Sequence, residues 1–107
     1  MKAWISTARV LPAMLMAAAL LAGAAGATGT FTREPGVDRS GNDMAVSELE
    51  LSATADDCAA RCAALKGCVA FTYVKKSTTV PKPVCRLKNA KPFGHESGCC
   101  ISGALQN

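Results

Sequence analysis

Residues 58–73 read CAARCAALKGCVAFTY, and they join a predicted helix to a predicted strand. Cys58 and Cys62 are four residues apart, so they share one face of a helix. Alanine, the strongest helix former, occupies most of the positions around them, and Gly67 is typical of the residue that follows a helix end. Residues 69–74 are rich in β-branched and aromatic side chains, which favours a strand. This helix and the strand after it are therefore the predicted centre of the fold.

The flanking patterns extend this centre in both directions. Thr54 followed by Asp57 fits a capping box, so the helix is predicted over 54–66. Phe71, Tyr73 and Leu87 are predicted core residues, because aromatic side chains at every second strand position normally pack inward. The predicted strands are a short edge strand near Phe31, an alternating segment over 44–51 with a bend near Ser47, and strands over 69–74, 84–88 and 99–102. The predicted loops pass through Pro35-Gly36 and Ser40-Gly41, and cover 75–83 and 89–98.

The N-terminal segment has the composition of a secretory signal peptide. Lys2 and Arg9 precede or flank an apolar run, and small residues follow it up to Ala27. The run is too rich in alanine and glycine to be a strong membrane span. We therefore expect residues 1–27 to be removed, leaving a single domain over 28–107 that is secreted or periplasmic and has no membrane attachment after cleavage.

Charge and size limit what the remaining domain does. The full chain has 12 basic and 8 acidic residues, and the loss of Lys2 and Arg9 leaves 10 against 8, a net charge of +2. This weak positive balance does not indicate a nucleic-acid partner. A domain of this size has a marginal hydrophobic core, and small exported domains often depend on cross-links. The even number of cysteines, six, therefore predicts a disulfide framework.

Three motifs together resemble the PAN/Apple domain family. They are Cys58-x3-Cys62-x5-Cys68-Val-Ala-Phe71-Thr-Tyr73, Cys85-Arg-Leu87-Lys88 and Cys99-Cys100-Ile-Ser102-Gly103. With Asp38-x2-Gly41-x-Asp43 upstream, the resemblance covers about residues 31–104 and is closest to the short form found in bacterial exported proteins. It departs from the family at Arg86, where a tryptophan is frequent, and in having no N-terminal cysteine. The resemblance implies an α+β fold, one helix packed on a curved antiparallel sheet.

The resemblance also implies disulfides between Cys58 and Cys85 and between Cys62 and Cys68. Cys99 and Cys100 are left over, and three interpretations of this pair stay open. The two residues form a vicinal disulfide, or they stay reduced or bond to other chains, or they pair with the helical cysteines in another of the 15 possible connectivities.

Two chemical alternatives are weaker than a disulfide framework. Structural zinc usually needs closely spaced cysteine pairs or histidines, whereas the only histidine, His95, is in a predicted loop. His95, Glu96 and Ser97 are contiguous, but a catalytic triad depends on convergent geometry rather than on neighbouring positions. We therefore predict no metal site, no cofactor, no catalytic residue and no enzymatic activity.

The remaining class is a binding module, which is also what the resemblance implies, with a protein or a carbohydrate as ligand. Six basic residues fall between positions 75 and 91 with no acidic residue among them: Lys75, Lys76, Lys82, Arg86, Lys88 and Lys91. Two strands and their loop would gather them, and such a surface attracts an anionic glycan or an acidic protein. Alternatively, they form a solvated edge that deters aggregation, or Lys88 has a structural role. A second hypothesis is a structural protein of the cell envelope, cross-linked through Cys99 or Cys100.

Overall fold

The structure, a computed structural model, describes residues 30–106. The predicted signal peptide, 1–27, lies outside the described residues. One helix and six strands follow each other along the chain. They are β1 Thr30–Phe31, β2 Glu34–Asp38, β3 Asp43–Glu48, α1 Ala55–Ala64, β4 Ala70–Val74, β5 Val84–Lys88 and β6 His95–Gln106.

The strands form one antiparallel sheet in the order β1-β6-β4-β5-β3, and β2 also pairs with β6. The long strand β6 is therefore central: β4 lies on one side of it, and β1 and β2 share the other side. Helix α1 packs against β4 and β5. This arrangement confirms the predicted α+β fold with one helix on an antiparallel sheet.

Helix α1 begins as its sequence predicts. The backbone N–H of Thr54 donates a hydrogen bond of 2.7 Å to the Asp57 carboxylate, which satisfies a donor that the helix itself leaves free. The helix ends at Ala64, two residues before the predicted end, because Leu65 is already extended. Gly67 then adopts a positive φ of 90°, and the resulting turn brings Cys68 back toward the helix.

Two cysteine pairs connect α1 to its surroundings. The Cα atoms of Cys58 and Cys85 are 5.5 Å apart, and those of Cys62 and Cys68 are 5.2 Å apart, with the sulfurs bonded in both pairs. Both separations are typical of disulfides. The first bond ties the helix to β5, and the second closes the turn that follows it. Chemical mapping of the disulfides tests this predicted pairing.

The core lies between α1 and the sheet. Phe71, Tyr73 and Leu87 are at most 8% exposed, which confirms them as core residues. The Phe31 ring meets Phe71 edge-on with ring centres 6.0 Å apart, so β1 closes one side of the core. The Tyr73 hydroxyl donates a 2.8 Å hydrogen bond to the Ala53 carbonyl, which satisfies its polar end.

A layer of buried hydroxyl groups joins three strands. Thr72 of β4 and Ser102 of β6 are fully buried, and their side-chain oxygens are 2.8 Å apart. Ser102 also donates a 2.8 Å hydrogen bond to the Val37 carbonyl of β2. Buried polar groups stabilise a fold only when they are paired in this way.

Two predicted loops are wrong in part: Ser40-Gly41 and residues 89–94 lie outside strands as predicted, but their neighbours do not. Strand β2 runs through Pro35-Gly36, because Gly36 adopts a positive φ of 74° where the ladder with β6 shifts register. Proline is tolerated in such an edge position. Likewise, β6 starts at His95 rather than at Cys99, because its first residues pair with β2.

The predicted bend near Ser47 is also misplaced. Strand β3 continues through Ser47 to Glu48, and its irregularity falls earlier, between Asp43 and Ala45. A bulge at that point changes which residues face the core. In β3, the edge strand of the sheet, only Ser47 is half-buried, and Met44 and Val46 are exposed, at 40% and 52%.

Candidate binding surface

Three of the predicted ligand-binding lysines lie at the same end of the sheet. Lys75 and Lys76 follow β4 directly, and Lys82 comes shortly before β5. Because Val74 pairs with Val84 in the antiparallel β4–β5 ladder, the loop 75–83 leaves and re-enters the sheet at the same end of these strands. All three lysines are exposed.

The loop that carries these lysines is held by its own hydrogen bonds. The backbone N–H of Ser77 donates to the Val80 carbonyl over 2.8 Å. The Ser77 hydroxyl accepts hydrogen bonds from the N–H groups of Thr79 and Val80, at 3.3 and 3.1 Å. At the end of the loop Pro83 is fully buried and accepts a hydrogen bond from Leu49. The loop is therefore anchored at its middle and at its end.

The charges of the three lysines are not neutralised by ion pairs within residues 30–106. The ion pairs found there involve Arg33, Arg39, Arg86 and Lys88. Glu48 is present at the same end of the sheet, opposite Val84, but it forms no ion pair with them. We call Lys75, Lys76 and Lys82 together the lysine end.

Lys88 does not belong to this surface. Its side chain is fully buried, and its ammonium donates to the Asp43 carboxylate and to the Gly41 carbonyl, the latter at 3.0 Å. Arg86 also donates to Asp43, at 3.0 Å. The predicted role of Lys88 as an exposed ligand contact is therefore corrected: the ammonium is occupied inside the fold, where it ties β5 to β3.

The electrostatics around Asp43 agree with this structural role. Partial burial of the carboxyl acts to raise its pKa, but the hydrogen bonds and charges of Lys88 and Arg86 outweigh it, so the pKa of Asp43 lies below its ordinary value. The carboxylate thus stays ionised beside the buried ammonium, as a paired buried charge requires.

Lys91 is separated from the lysine end. It follows Lys88 in the loop between β5 and β6, and so leaves β5 at the end opposite Val84. The six basic residues therefore do not form one patch. Three form the lysine end, Arg86 pairs with Asp43, Lys88 is buried and Lys91 is exposed elsewhere.

The structure also reveals a cleft that the sequence analysis did not predict. Phe93, at 91% exposed, is the most exposed large apolar side chain of the described residues. It borders a cleft of about 580 Å³, whose lining residues are Glu34, Val37, Arg39, Phe93, Gly94, His95 and Glu96. The only sequence signal for the exposure of Phe93 is its position between Pro92 and Gly94 in a predicted loop. An aromatic residue with such neighbours has few ways to reach the core.

One wall of this cleft is a fixed ion pair. The Arg39 guanidinium donates two hydrogen bonds to the Glu34 carboxylate, at 2.8 and 2.9 Å, and a third of 2.7 Å to the Pro92 carbonyl. The hydrogen bond from Arg39 holds the pKa of Glu34 below its ordinary value, although burial opposes this effect. Arg39 thus fastens the Phe93 loop to β2, and its charge is already balanced.

The contiguous His95, Glu96 and Ser97 open strand β6. His95 pairs with Asp38, and Glu96 pairs with Val37. The side chains of the neighbouring residues His95 and Glu96 therefore leave opposite faces of the strand. Among residues 30–106 there is no group of three or more His, Cys, Asp or Glu side chains placed to hold a metal ion.

Cys99 and Cys100 lie on β6 with their sulfurs at bonding distance and their Cα atoms 3.7 Å apart. Cys99 is exposed, whereas Cys100 is only 1% exposed. In the part of the chain that the structure describes, no helix is long and apolar enough to cross a membrane.

Comparison with protein families finds a match over the middle of the chain. The family model of the PAN domain matches residues 37–88. The matched segment contains α1, β4, β5 and both cysteine pairs of the core, and it ends before the Phe93 loop and Cys99-Cys100. No curated protein and no solved structure matches the chain.

Proposed function

We propose that this protein is an exported, non-catalytic binding module for an anionic ligand. Residues 37–88 belong to the PAN domain family, which is a family of protein- and carbohydrate-binding modules. The ligand is a polysaccharide that carries acidic groups or the acidic surface of a protein. Export rests on the signal-peptide pattern of 1–27 and on the disulfide-bonded core, since disulfides persist in oxidising compartments outside the cytosol.

The observation that carries the proposal is the lysine end. Lys75, Lys76 and Lys82 are exposed on one anchored loop and have no ion pair among the described residues. Each ammonium offers three hydrogen-bond donors and a full charge. A loop already held by Ser77 and Pro83 loses little conformational freedom on binding, which favours affinity.

The non-catalytic part of the proposal rests on the family and on the placement of the polar residues. His95 and Glu96 leave opposite faces of β6, and the Ser97 hydroxyl is 3.2 Å from the Cys99 sulfur rather than from a base. Acid–base catalysis needs groups that converge on one reacting atom, and these residues do not converge.

Binding of the oxidised protein to immobilised probes tests the proposal. The probes are dextran sulfate, alginate and polyglutamate, with neutral dextran as the blank. We expect saturable binding to at least one anionic probe, none to neutral dextran, and weaker binding as salt increases, because salt screens exposed charges. Preference for the polysaccharides or for polyglutamate identifies the ligand class. Failure to bind any anionic probe at low salt would refute the proposal.

A further inference from the structure

The adjacent cysteines occupy an interruption in the sheet. Strands β2 and β6 pair at Pro35 and Ile101, and the next pair is Val37 with Glu96. A single residue of β2, Gly36, therefore faces the β6 segment 97–100. Extra residues on one strand leave the ladder and bulge, and this bulge contains Cys99 and Cys100.

The other side of β6 remains paired at the same point. Cys100 pairs with Val74 of β4, and the Lys75 N–H donates a 2.9 Å hydrogen bond to the Cys99 carbonyl. Strand β4 therefore fixes the backbone of both cysteines. Their side chains differ in consequence: Cys99 is exposed in the bulge, whereas Cys100 is 1% exposed and faces the protein interior.

Thiol–disulfide exchange requires a thiolate to reach one of the two bonded sulfurs. Here Cys99 is an exposed residue, whereas Cys100 is almost completely buried. The four cysteines of the core disulfides are also buried, at 0–1% exposed. Access therefore selects Cys99 from all six cysteines.

We propose that Cys99 is a thiol-exchange site, with Cys100 as its buried resolving partner. The thiolate of an external thiol attacks the Cys99 sulfur and forms a new S–S bond with it. The bond between Cys99 and Cys100 breaks, and its electron pair leaves on the Cys100 sulfur, which takes a proton from water. In the reverse step the Cys100 thiolate attacks Cys99 and expels the external thiol. The number of disulfides is unchanged, so no separate oxidant is needed.

The surroundings of Cys99 suit this reaction. The Ser97 hydroxyl is 3.2 Å from the Cys99 sulfur, within hydrogen-bond distance of the atom that the external thiolate attacks. Lys75 lies opposite Cys99 across the β4–β6 ladder and is exposed. Its positive charge attracts an approaching thiolate. The external thiol is a small molecule such as glutathione or a cysteine of another protein chain.

Two single-cysteine variants test the proposal. Cys100→Ser leaves Cys99 as the free thiol, and Cys99→Ser leaves Cys100. Each folded variant is incubated with oxidised glutathione, and the adduct is followed by intact mass. We expect Cys100→Ser to form a single adduct at least about tenfold faster than Cys99→Ser, because exchange depends on access to the thiol. In denaturant the two variants should react at similar rates.

Equal rates in the folded state, or a faster reaction of Cys99→Ser, would refute the proposal. Non-reducing electrophoresis of Cys100→Ser separates the two sources of thiol. A cross-linked dimer shows that a protein thiol reaches Cys99, and a monomer with a glutathione adduct shows that only the small molecule does.

The wild-type protein gives a test that does not depend on the folding of either variant. It is incubated with reduced glutathione, quenched with acid and analysed by peptide mapping. The proposal predicts that Cys99-Cys100 opens before the two core pairs and that glutathione is attached to Cys99. Glutathione on Cys100, or earlier opening of a core pair, would contradict it.

Discussion

The Lys88 ammonium, fully buried at the end of β5, is paired with the carboxylate of Asp43 at the start of β3. The two residues are 45 positions apart in the chain, and β3 is an edge strand that pairs with β5. The ion pair therefore fastens the edge of the sheet. It also explains why Lys88, although it belongs to a basic stretch of the sequence, does not extend the lysine end.

Replacement of Asp43 should destabilise the fold strongly. Asp43→Asn leaves the buried Lys88 ammonium without its counter-charge, and removing one partner of a buried pair costs about 3 kcal/mol or more. We expect a loss of about 3 kcal/mol in the free energy of unfolding, measured by urea denaturation. Glu48→Gln is the matched control, since Glu48 is exposed and forms no ion pair within residues 30–106. Equal stabilities of the two variants would show that the pair contributes nothing.

Stability should fall in acid. The pKa of Glu34 is lowered by its hydrogen bond with Arg39, and that of Asp43 by Lys88 and Arg86 against the opposing effect of burial; the ordinary values are 4.5 and 3.8. The unfolded chain therefore binds protons at a higher pH than the folded chain. The stabilisation is complete above these ordinary values and is lost as pH falls through the lower folded values.

Urea denaturation at a series of pH values below about 5 measures this effect. The free energy of unfolding should decrease steadily as pH falls, and Asp43→Asn should lose less on acidification than the wild type. A free energy that is constant or rises across this range would contradict the assignment.

Loss of the Ser102 hydroxyl should weaken the joint between β2, β4 and β6. Ser102→Ala leaves the buried Thr72 hydroxyl without its 2.8 Å partner and removes the hydrogen bond to the Val37 carbonyl. An unsatisfied buried polar group costs about 1–3 kcal/mol. The comparison is with Thr78→Ala in the exposed loop, which should leave the thermal midpoint almost unchanged. Similar midpoints for both variants would argue against a paired hydroxyl layer.

A methyl group at position 103 should not fit. A Cβ on Gly103 would collide with the Thr32 carbonyl and with the Phe71 ring, whereas a Cβ on Gly98, in the same strand, meets nothing within 4 Å. We expect Gly103→Ala to destabilise the protein by about 2 kcal/mol or more, as overpacking of a core does. Gly98→Ala should have little effect. Equal thermal midpoints for the two variants would contradict the close contact at Gly103.

The elements predicted well are those set by neighbouring residues. The start of α1 follows from Thr54 and Asp57, and β4 follows from a short run that is rich in β-branched and aromatic residues. The elements predicted badly depend on distant partners: β2 passes through Pro35-Gly36, and β6 begins at His95, only because these segments pair with each other. Local composition contains no information about that pairing.

The candidate site shows the same limit. The charge of Lys75, Lys76 and Lys82 was visible in the sequence, and so was the absence of acidic residues between them. The burial of Lys88 depends on Asp43, which lies far away in the chain and adjacent in the sheet. The exposure of Phe93 depends on how Arg39 holds its loop. Neither property follows from spacing alone.

The most direct test of the proposed function compares two triple variants with equal loss of charge. One replaces Lys75, Lys76 and Lys82 with serine, and the other replaces Arg61, Lys66 and Lys91, which are exposed elsewhere. Affinity for the anionic probe that binds the wild type best is measured at low and at high salt. Since an exposed ion pair contributes roughly 0.2–1 kcal/mol, the account predicts about a tenfold loss for the first variant, a small loss for the second, and a reduced salt dependence in the first alone. Equal affinities of the two variants would contradict it.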